Sequence, residues 1–355
     1  MHFLPKGIKS TNDIFRATAE RLNSYHLFSD KTIKAVTRYA QKQSEYKNYT
    51  SFFQDMGGLS VTIHTLKNGS GVPVVDIPAL IKKPSGIIVV HLPMGNALDE
   101  SQLYQVATVA AVNSSYRVIA FGNPSGKPHR YKQQNLTMWK RLQIAFTKNQ
   151  YPLVEAELDY LQSKNIQNVY HVGYSYGALK ALLESNYSDK GRVKGIIIVE
   201  PVAHSRGIKQ LVGDFQSTFK PLGDYVNRTQ NPTYLEARLE TAKKADSAAK
   251  TLLRPINIAI GIILSHIDLI ELLKVVIMKQ PQAQVTVAWA SESELGNDAH
   301  LKANFYNMTH SNPNIHAMRL EGDKHAVAND IYLYAAIVCE ALQKSTTVDK
   351  KPKNK

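Results

Sequence analysis

The stretch that most constrains this chain of 355 residues joins a β-branched run, a Gly-x-Ser-x-Gly pentapeptide and a helical pattern. Residues 169–172 predict a strand, and the leucines after the pentapeptide 173–177 recur at helical spacing, with Lys180 and Glu184 expected on the exposed face. The pentapeptide is expected to form a sharp turn between the strand and the helix. Such a turn leaves no room for side chains two residues before and after the serine, which explains the two glycines. Ser175 is therefore predicted above the strand, beside the N–H groups that begin the next helix.

Beyond Gly86 the sequence alternates between buried strands and helices. The predicted strands are 87–92, 116–122, 169–173, 195–200, 284–290 and 315–321, and the predicted helices lie near 99–112, 152–164, 177–186, 298–308 and 326–343. Near-continuous Val and Ile runs joined by helices favour a mostly parallel sheet covered on both faces. The fold class is therefore predicted as a doubly wound α/β structure, with its active site at the carboxyl ends of the strands.

The two ends of the chain lie outside this alternation. Residues 1–58 contain two amphipathic helical patterns and predict an N-terminal helical extension. Residues 59–66 and 72–80 predict a hairpin with its turn at Asn68-Gly69. The basic residues of 345–355 predict a disordered tail.

A helical insertion is predicted in the middle of the α/β core. Residues 201–282 contain no good strand, and we expect them to form a cap between the two parts of the core, 59–200 and 283–344. The stretch 256–278 is very apolar but carries four ionisable residues. Burying those in a bilayer costs several kcal/mol each, so a buried or lid helix is expected rather than a transmembrane segment.

Composition and charge bear on the expected partners and location of the protein. A hydrophobic content of 43% and a charged content of 20% are typical of a soluble globular protein. The net charge of +14 is dispersed outside the tail, and no nucleic-acid-binding motif accompanies it, so no specific nucleic acid partner is expected. The N-terminus lacks the pattern of a signal peptide, which makes the cytoplasm the expected location.

From about Leu59 to Leu342 the chain resembles the α/β-hydrolase fold family. The resemblance rests on the nucleophile elbow at Ser175, on IIVVHLPMG at 87–95 and on EGDKHA at 321–326, which looks like a histidine loop. It implies a serine hydrolase of the esterase, lipase or thioesterase kind. Such an enzyme cleaves an ester, thioester or amide through an acyl-enzyme, without a cofactor or a metal.

The resemblance also implies a nucleophile and a general base. Ser175 would be the nucleophile, and His325 would take its proton and return it to the leaving group. His325 is the only histidine that comes just after a Gly-Asp at a strand end, with one residue between, and opens a terminal helix. His91 is interpreted as support for the loop that it begins, and His204 as a residue of the cap.

The oxyanion hole needs two N–H donors aimed at the developing negative charge. One is expected at Tyr176, directly after the nucleophile. The second should come from the loop after the strand 87–92, where Pro93 has no N–H to donate. Met94 is therefore the first choice and Leu92 the second.

The acid that orients the base has several candidates. Members of the family often carry Gly-x-x-Asp after the penultimate strand, whereas this chain has WASESELGND, with a serine where the Asp would fall. Glu294, one residue later, is the first choice. Glu200 and Asp298 are the alternatives, and Glu292 is a weaker one.

Two other functions stay open. A catalytically silent scaffold that binds a ligand or a partner would explain the displaced acid and Pro93 in the oxyanion loop. A nucleic-acid-binding protein ranks last, because only the net charge supports it. For the hydrolase, the apolar side chains of the cap favour a small to medium apolar substrate, while neither its leaving group nor an oligomeric state follows from the sequence.

Overall fold

An eight-stranded sheet forms the centre of the computed structural model, in the order β1-β2-β4-β3-β5-β6-β7-β8. The structure describes residues 11–94, 96–123, 136–147, 149–202, 222–244, 255–264, 266–295 and 297–348. The strands are β1 (Val61–Thr65), β2 (Gly71–Ile77), β3 (Gly86–His91), β4 (Tyr116–Phe121), β5 (Val169–Tyr174), β6 (Val193–Val199), β7 (Gln284–Ala290) and β8 (Ile315–Leu320). Strand β2 pairs antiparallel with β1 and β4, and every other pair is parallel.

Helices cover both faces of this sheet. They are α1 (Thr11–Ser24), α2 (Asp30–Gln43), α3 (Tyr49–Asp55), α4 (Glu100–Val112), α5 (Met138–Thr147), α6 (Glu155–Ser163), α7 (Tyr176–Tyr187), α8 (Leu222–Arg228), α9 (Pro232–Lys244), α10 (Pro255–Leu264), α11 (Leu269–Lys279), α12 (Asp298–Ser311) and α13 (Ile331–Val348). Short 3-10 helices cover Tyr151–Leu153 and His325–Asn329. The doubly wound α/β fold predicted from the sequence is confirmed.

The strands agree closely with the sequence pattern. All six strands predicted beyond Gly86 are present with ends within two residues of those expected, because the β-branched runs of the inner strands are buried on both faces. Strand β8, at the edge of the sheet, leaves Ala317 exposed. The hairpin before them is β1 and β2, and Gly69 in its turn has φ of 81°, a conformation that favours glycine. The sheet therefore places the carboxyl ends of β3, β5 and β6 side by side.

The N-terminal helices share the core of the α/β unit. The ring of Phe52 in α3 lies 4.6 Å from that of Tyr104 in α4. In α2, buried Gln43 accepts a hydrogen bond of 2.8 Å from Tyr332 of α13, and Ser29 caps the helix. Helix α13 itself continues to Val348, into the segment expected to be a tail, and residues 349–355 lie outside the described ones.

The apolar part of the inserted segment differs from the one helix that we expected there. The apolar stretch 256–278 forms two helices, and Asp268 begins the second by accepting from the N–H of Ile270 at 2.8 Å. Helix α11 packs against α7 and the strands, with Leu273 fully buried, so it belongs to the layer that covers the sheet. No helix in the described ranges is both long and apolar enough to cross a membrane. His204 lies outside them.

Candidate active site

Ser175 occupies a strained turn between β5 and α7. Its φ of 56° and ψ of −120° are unusual for a residue with a side chain, and its N–H donates to the Val199 carbonyl at 2.9 Å. A Cβ on Gly173 would lie 2.1 Å from the Gly177 oxygen, and one on Gly177 would lie 2.1 Å from the His91 oxygen. Only glycine fits at both positions, so the sharp turn of the elbow depends on them.

His325 faces the serine from the loop after β8. Its Nε2 lies 2.9 Å from Ser175 Oγ, and each of the two residues is only 4% exposed. The ring stacks on Tyr174 with centroids 5.5 Å apart, and the Tyr174 hydroxyl donates to the His325 carbonyl at 2.8 Å. Strand β5 therefore both presents the serine and holds the histidine in place.

The carboxylate against this histidine is Glu200, and the first choice of Glu294 is corrected. His325 Nδ1 lies 3.1 Å from Glu200 Oε2, and the other oxygen of Glu200 accepts the N–H of Ala290. The physical reason lies in the strand order. Glu200 follows β6, the immediate neighbour of β5, and its φ of 52° turns it toward the site, whereas Glu294 follows the next strand, β7.

The other candidate acids make contacts elsewhere. Asp298 forms two hydrogen bonds with Arg319, at 2.7 and 2.8 Å, and a third of 2.9 Å with Trp289. The Arg319 guanidinium lowers the pKa of the Asp298 carboxyl. The backbone N–H of Glu292 donates to the Asp323 carbonyl at 2.9 Å, which ties the loop after β7 to the histidine loop.

The two predicted oxyanion donors come from segments in mutual contact. Tyr176 is the first residue of α7, and Met94 packs against the apolar cluster that contains the Tyr176 side chain. The loop before Met94 is held by Asn123, whose amide donates to the Leu92 and Pro93 carbonyls at 2.7 and 2.6 Å. The arrangement can therefore support nucleophilic attack by a serine at the carboxyl end of the sheet.

Comparison with known proteins agrees with this architecture. No protein-family model and no curated protein matches the sequence. An α/β hydrolase from a Medee basin deep-sea metagenome is 15% identical, with 79% of this chain and 97% of that chain covered and a TM-score of 0.56. The chain has the α/β-hydrolase fold.

Two further structures have the same fold. A carboxylesterase from Nitrososphaera gargenis is 14% identical over 81% of this chain and all of that chain, with a TM-score of 0.54. A bromoperoxidase from Bacillus anthracis is 13% identical over 80% of this chain and 100% of that chain, with a TM-score of 0.51. At such identities the likeness defines the fold alone.

The α/β-hydrolase fold of this chain also contains a cluster of buried ionisable groups that the sequence did not predict. We call His91, Glu157, His171, Lys180 and Glu184 the buried ion network; all five are inaccessible to solvent. His91 Nε2 lies 3.1 Å from His171 Nδ1, and Lys180 forms an ion pair with Glu157. The expectation that Lys180 and Glu184 lie on an exposed face is wrong, because α11 and the sheet enclose α7.

Burial sets the protonation of the network. Burial lowers the pKa of His91. Burial and the electrostatic effect of the neighbouring His91 lower the pKa of His171 still further. Burial and the neighbouring Glu157 carboxylate raise the pKa of Glu184. Burial also opposes ionisation of Glu157, but Lys180, together with Glu184 and His91, outweighs it and lowers the pKa of Glu157. His91, His171 and Glu184 bring three potential metal-ligand atoms within 4.8 Å, but the ammonium of Lys180 in the same network opposes a cation there.

The histidine loop is anchored by residues in and next to helices outside the sheet. Asp323 accepts hydrogen bonds from Tyr25, directly after α1, at 2.6 Å and from Tyr225 and Arg228 of α8 at 3.0 and 2.7 Å. The Tyr225 hydroxyl in turn accepts the N–H of Lys324 at 2.7 Å. These tyrosines are scattered through the sequence, and no local pattern connects them with the loop.

Proposed function

We propose that this protein is a serine hydrolase that cleaves an ester, thioester or amide of a small to medium apolar substrate. One observation carries the proposal, a continuous line of contacts through three side chains. Ser175 Oγ lies 2.9 Å from His325 Nε2, and His325 Nδ1 lies 3.1 Å from Glu200 Oε2. These are the contacts that a nucleophile, its general base and an orienting acid require.

The reaction would follow from this line of contacts. His325 takes the proton of Ser175 as Oγ attacks the substrate carbonyl, and the N–H groups of Tyr176 and Met94 stabilise the oxyanion. His325 then gives the proton to the leaving group, which departs as the acyl-enzyme forms. Water, activated by the same histidine, releases the acid product. Glu200 keeps Nδ1 protonated and stabilises the imidazolium.

The surroundings of the nucleophile support an apolar substrate. Tyr176, next to Ser175, packs in a cluster with Val202, Leu295 and Ile263, and Met94 lies against it. Each methylene that such surfaces remove from water contributes about 0.8 kcal/mol, so medium acyl chains should react faster than acetyl. The carboxylesterase of Nitrososphaera gargenis with this fold makes an ester the first substrate to test.

The experiment that tests the proposal is labelling with a fluorophosphonate, which modifies activated serines. We expect one covalent adduct, on Ser175, and none on Ser175→Ala. Esters of p-nitrophenol from acetate to dodecanoate then report the acyl preference. Folded protein that remains unlabelled and hydrolyses none of the esters would support the alternative, a catalytically silent scaffold. The contact of Glu200 with His325 already removes one argument for that alternative, the displaced acid.

A further inference from the structure

The outer face of α5 exposes three large apolar side chains. Trp139, Leu142 and Phe146 follow one another at helical spacing, and Trp139 and Phe146 are 74% and 81% exposed. We call these three residues the aromatic face. Soluble proteins rarely leave such a group uncovered without a binding role.

The other side of the same helix lies over the candidate active site. Ile144 is buried in the cluster that contains Tyr176 and Leu179 at the start of α7. Helix α10, which packs against α5, contributes Ile260 to this cluster and leaves Ile258 about half exposed. The aromatic face and Ile258 thus belong to two packed helices that cover the elbow.

The sequence that contains the aromatic face is basic. From Gly122 to Val154 the sequence contains no Asp or Glu but has six basic residues, Lys127, Arg130, Lys132, Lys140, Arg141 and Lys148. Lys140 pairs with Glu155 at 2.5 Å, whereas Arg141 is exposed between Trp139 and Leu142. An aromatic and aliphatic helix face within a basic stretch of sequence is typical of helices that lie in a lipid interface.

We propose that the aromatic face, together with Ile258 of the adjoining helix α10, docks on an anionic lipid bilayer. Trp139 and Phe146 would enter the boundary between headgroups and acyl chains, while Arg141 binds lipid phosphates. A nucleic acid would satisfy the charges but offers no apolar phase for Leu142 and Ile258. A protein surface would cover the apolar side chains but gives no reason for a flank without acidic residues. Docking does not depend on the proposed hydrolysis, so Ser175→Ala should bind equally well.

The first experiment measures binding of the full chain to vesicles. We expect co-sedimentation with vesicles of phosphatidylcholine containing about 30 mol % phosphatidylglycerol, and much less with phosphatidylcholine alone or at about 0.5 M salt. Trp139 should report insertion by a blue shift of its emission, because the only other tryptophan, Trp289, is 3% exposed. Trp139→Phe should keep the binding and lose the shift.

Matched variants distinguish binding through the aromatic face from non-specific adsorption to the vesicles. Trp139→Ser combined with Phe146→Ser should weaken binding by about tenfold or more, since two inserted rings are lost. The control is Met278→Ser with Tyr306→Ser, which removes side chains that are 74% and 67% exposed on α11 and α12 and should change binding little. Arg141→Glu should weaken binding to the anionic vesicles only.

Three results would overturn the proposal. One is the absence of vesicle binding by the wild type. Another is vesicle binding that the serine pair reduces no more than the control pair does, which would place the contact on another surface. The last is a dimer, or a complex with single-stranded RNA, that the serine pair abolishes while vesicles are not bound.

Discussion

His325 and His91 each contact a buried glutamate, but their second ring nitrogens face different partners. His325 has Glu200 on one side and the Ser175 hydroxyl on the other. His91 lies 3.6 Å from Glu157 and 3.1 Å from His171, another buried imidazole. The contacts of His325 end on a hydroxyl that can attack a substrate, whereas the contacts of His91 lead only to other side chains of the core.

The buried ion network nevertheless reaches the active site through the backbone. Lys180 donates to Asn123 Oδ1 at 3.2 Å, and the amide nitrogen of Asn123 donates to the carbonyls of Leu92 and Pro93, just before Met94. The comparison therefore separates two uses of the same residue types. The line at Ser175 is suited to moving a proton, and the network is suited to holding the loop that would supply an oxyanion donor.

The largest effect should come from breaking the line at Ser175. Ser175→Ala and His325→Ala should each lower kcat by about 10⁶-fold while leaving thermal unfolding unchanged, and the double variant should be little worse than either, because the residues act as a unit. Steady-state hydrolysis of the preferred ester measures this. Losses that multiply in the double variant would show that the two residues are not partners.

The next effect concerns the acid. Glu200→Gln should lower kcat by about 10²- to 10⁴-fold, because an amide cannot stabilise the imidazolium and leaves the wrong tautomer in place. Glu294→Gln is the matched control and should change kcat by less than about threefold. If Glu294→Gln were nearly inactive and Glu200→Gln active, Glu294 would be the acid, as the sequence predicted.

The sequence predicted the parts of this comparison that depend on local pattern. The strands, the elbow and His325 follow from β-branched runs, from glycines that only one turn requires, and from position after a strand. The identity of the acid does not follow from local pattern. The family motif predicted it after β7, but two other features decide which carboxylate reaches the histidine: the order of the strands and the turn at Glu200, where φ is 52°. Glu200 could have been preferred for its position directly after a buried strand.

The buried ion network shows a different limit of sequence patterns. Lys180 and Glu184 have the spacing of an exposed pair on a helix, and local pattern supports that interpretation. Their burial depends on α6, which brings Glu157 to Lys180, and on α11, which covers α7. Contacts between such distant segments leave no periodicity to detect.

A smaller effect should follow from breaking the network. Lys180→Met leaves Glu157 as an unpaired buried charge and should lower the free energy of unfolding by about 3–5 kcal/mol. Lys274→Met, which removes an exposed partner of Glu271, should cost less than about 1 kcal/mol. Urea unfolding measures both. Equal costs would mean that the charge of Glu157 is compensated without Lys180.

The last effect is a pH dependence of stability that Glu184 should produce. Burial raises the pKa of Glu184 above its ordinary 4.5, so the folded protein keeps a proton that the unfolded chain releases. Stability is then complete below pH 4.5 and falls as the pH rises toward the folded pKa, by up to about 1.4 kcal/mol per pH unit. Glu184→Gln keeps the neutral shape but cannot titrate, so it should escape this loss.

The measurement is the free energy of unfolding in urea for the wild type and Glu184→Gln at several values between about pH 5 and pH 8. The lowered pKa values of His91 and His171 act in the opposite direction, since their stabilising effect is lost as the pH falls below 6.5. Both histidines face a neutral group at position 184 in both proteins as long as Glu184 is protonated, so their effect then cancels in the difference. We expect the wild type to lose stability relative to the variant as the pH rises. Parallel curves would mean that Glu184 is ionised in the fold, and that the network holds its loop with a second charged pair rather than a protonated carboxyl.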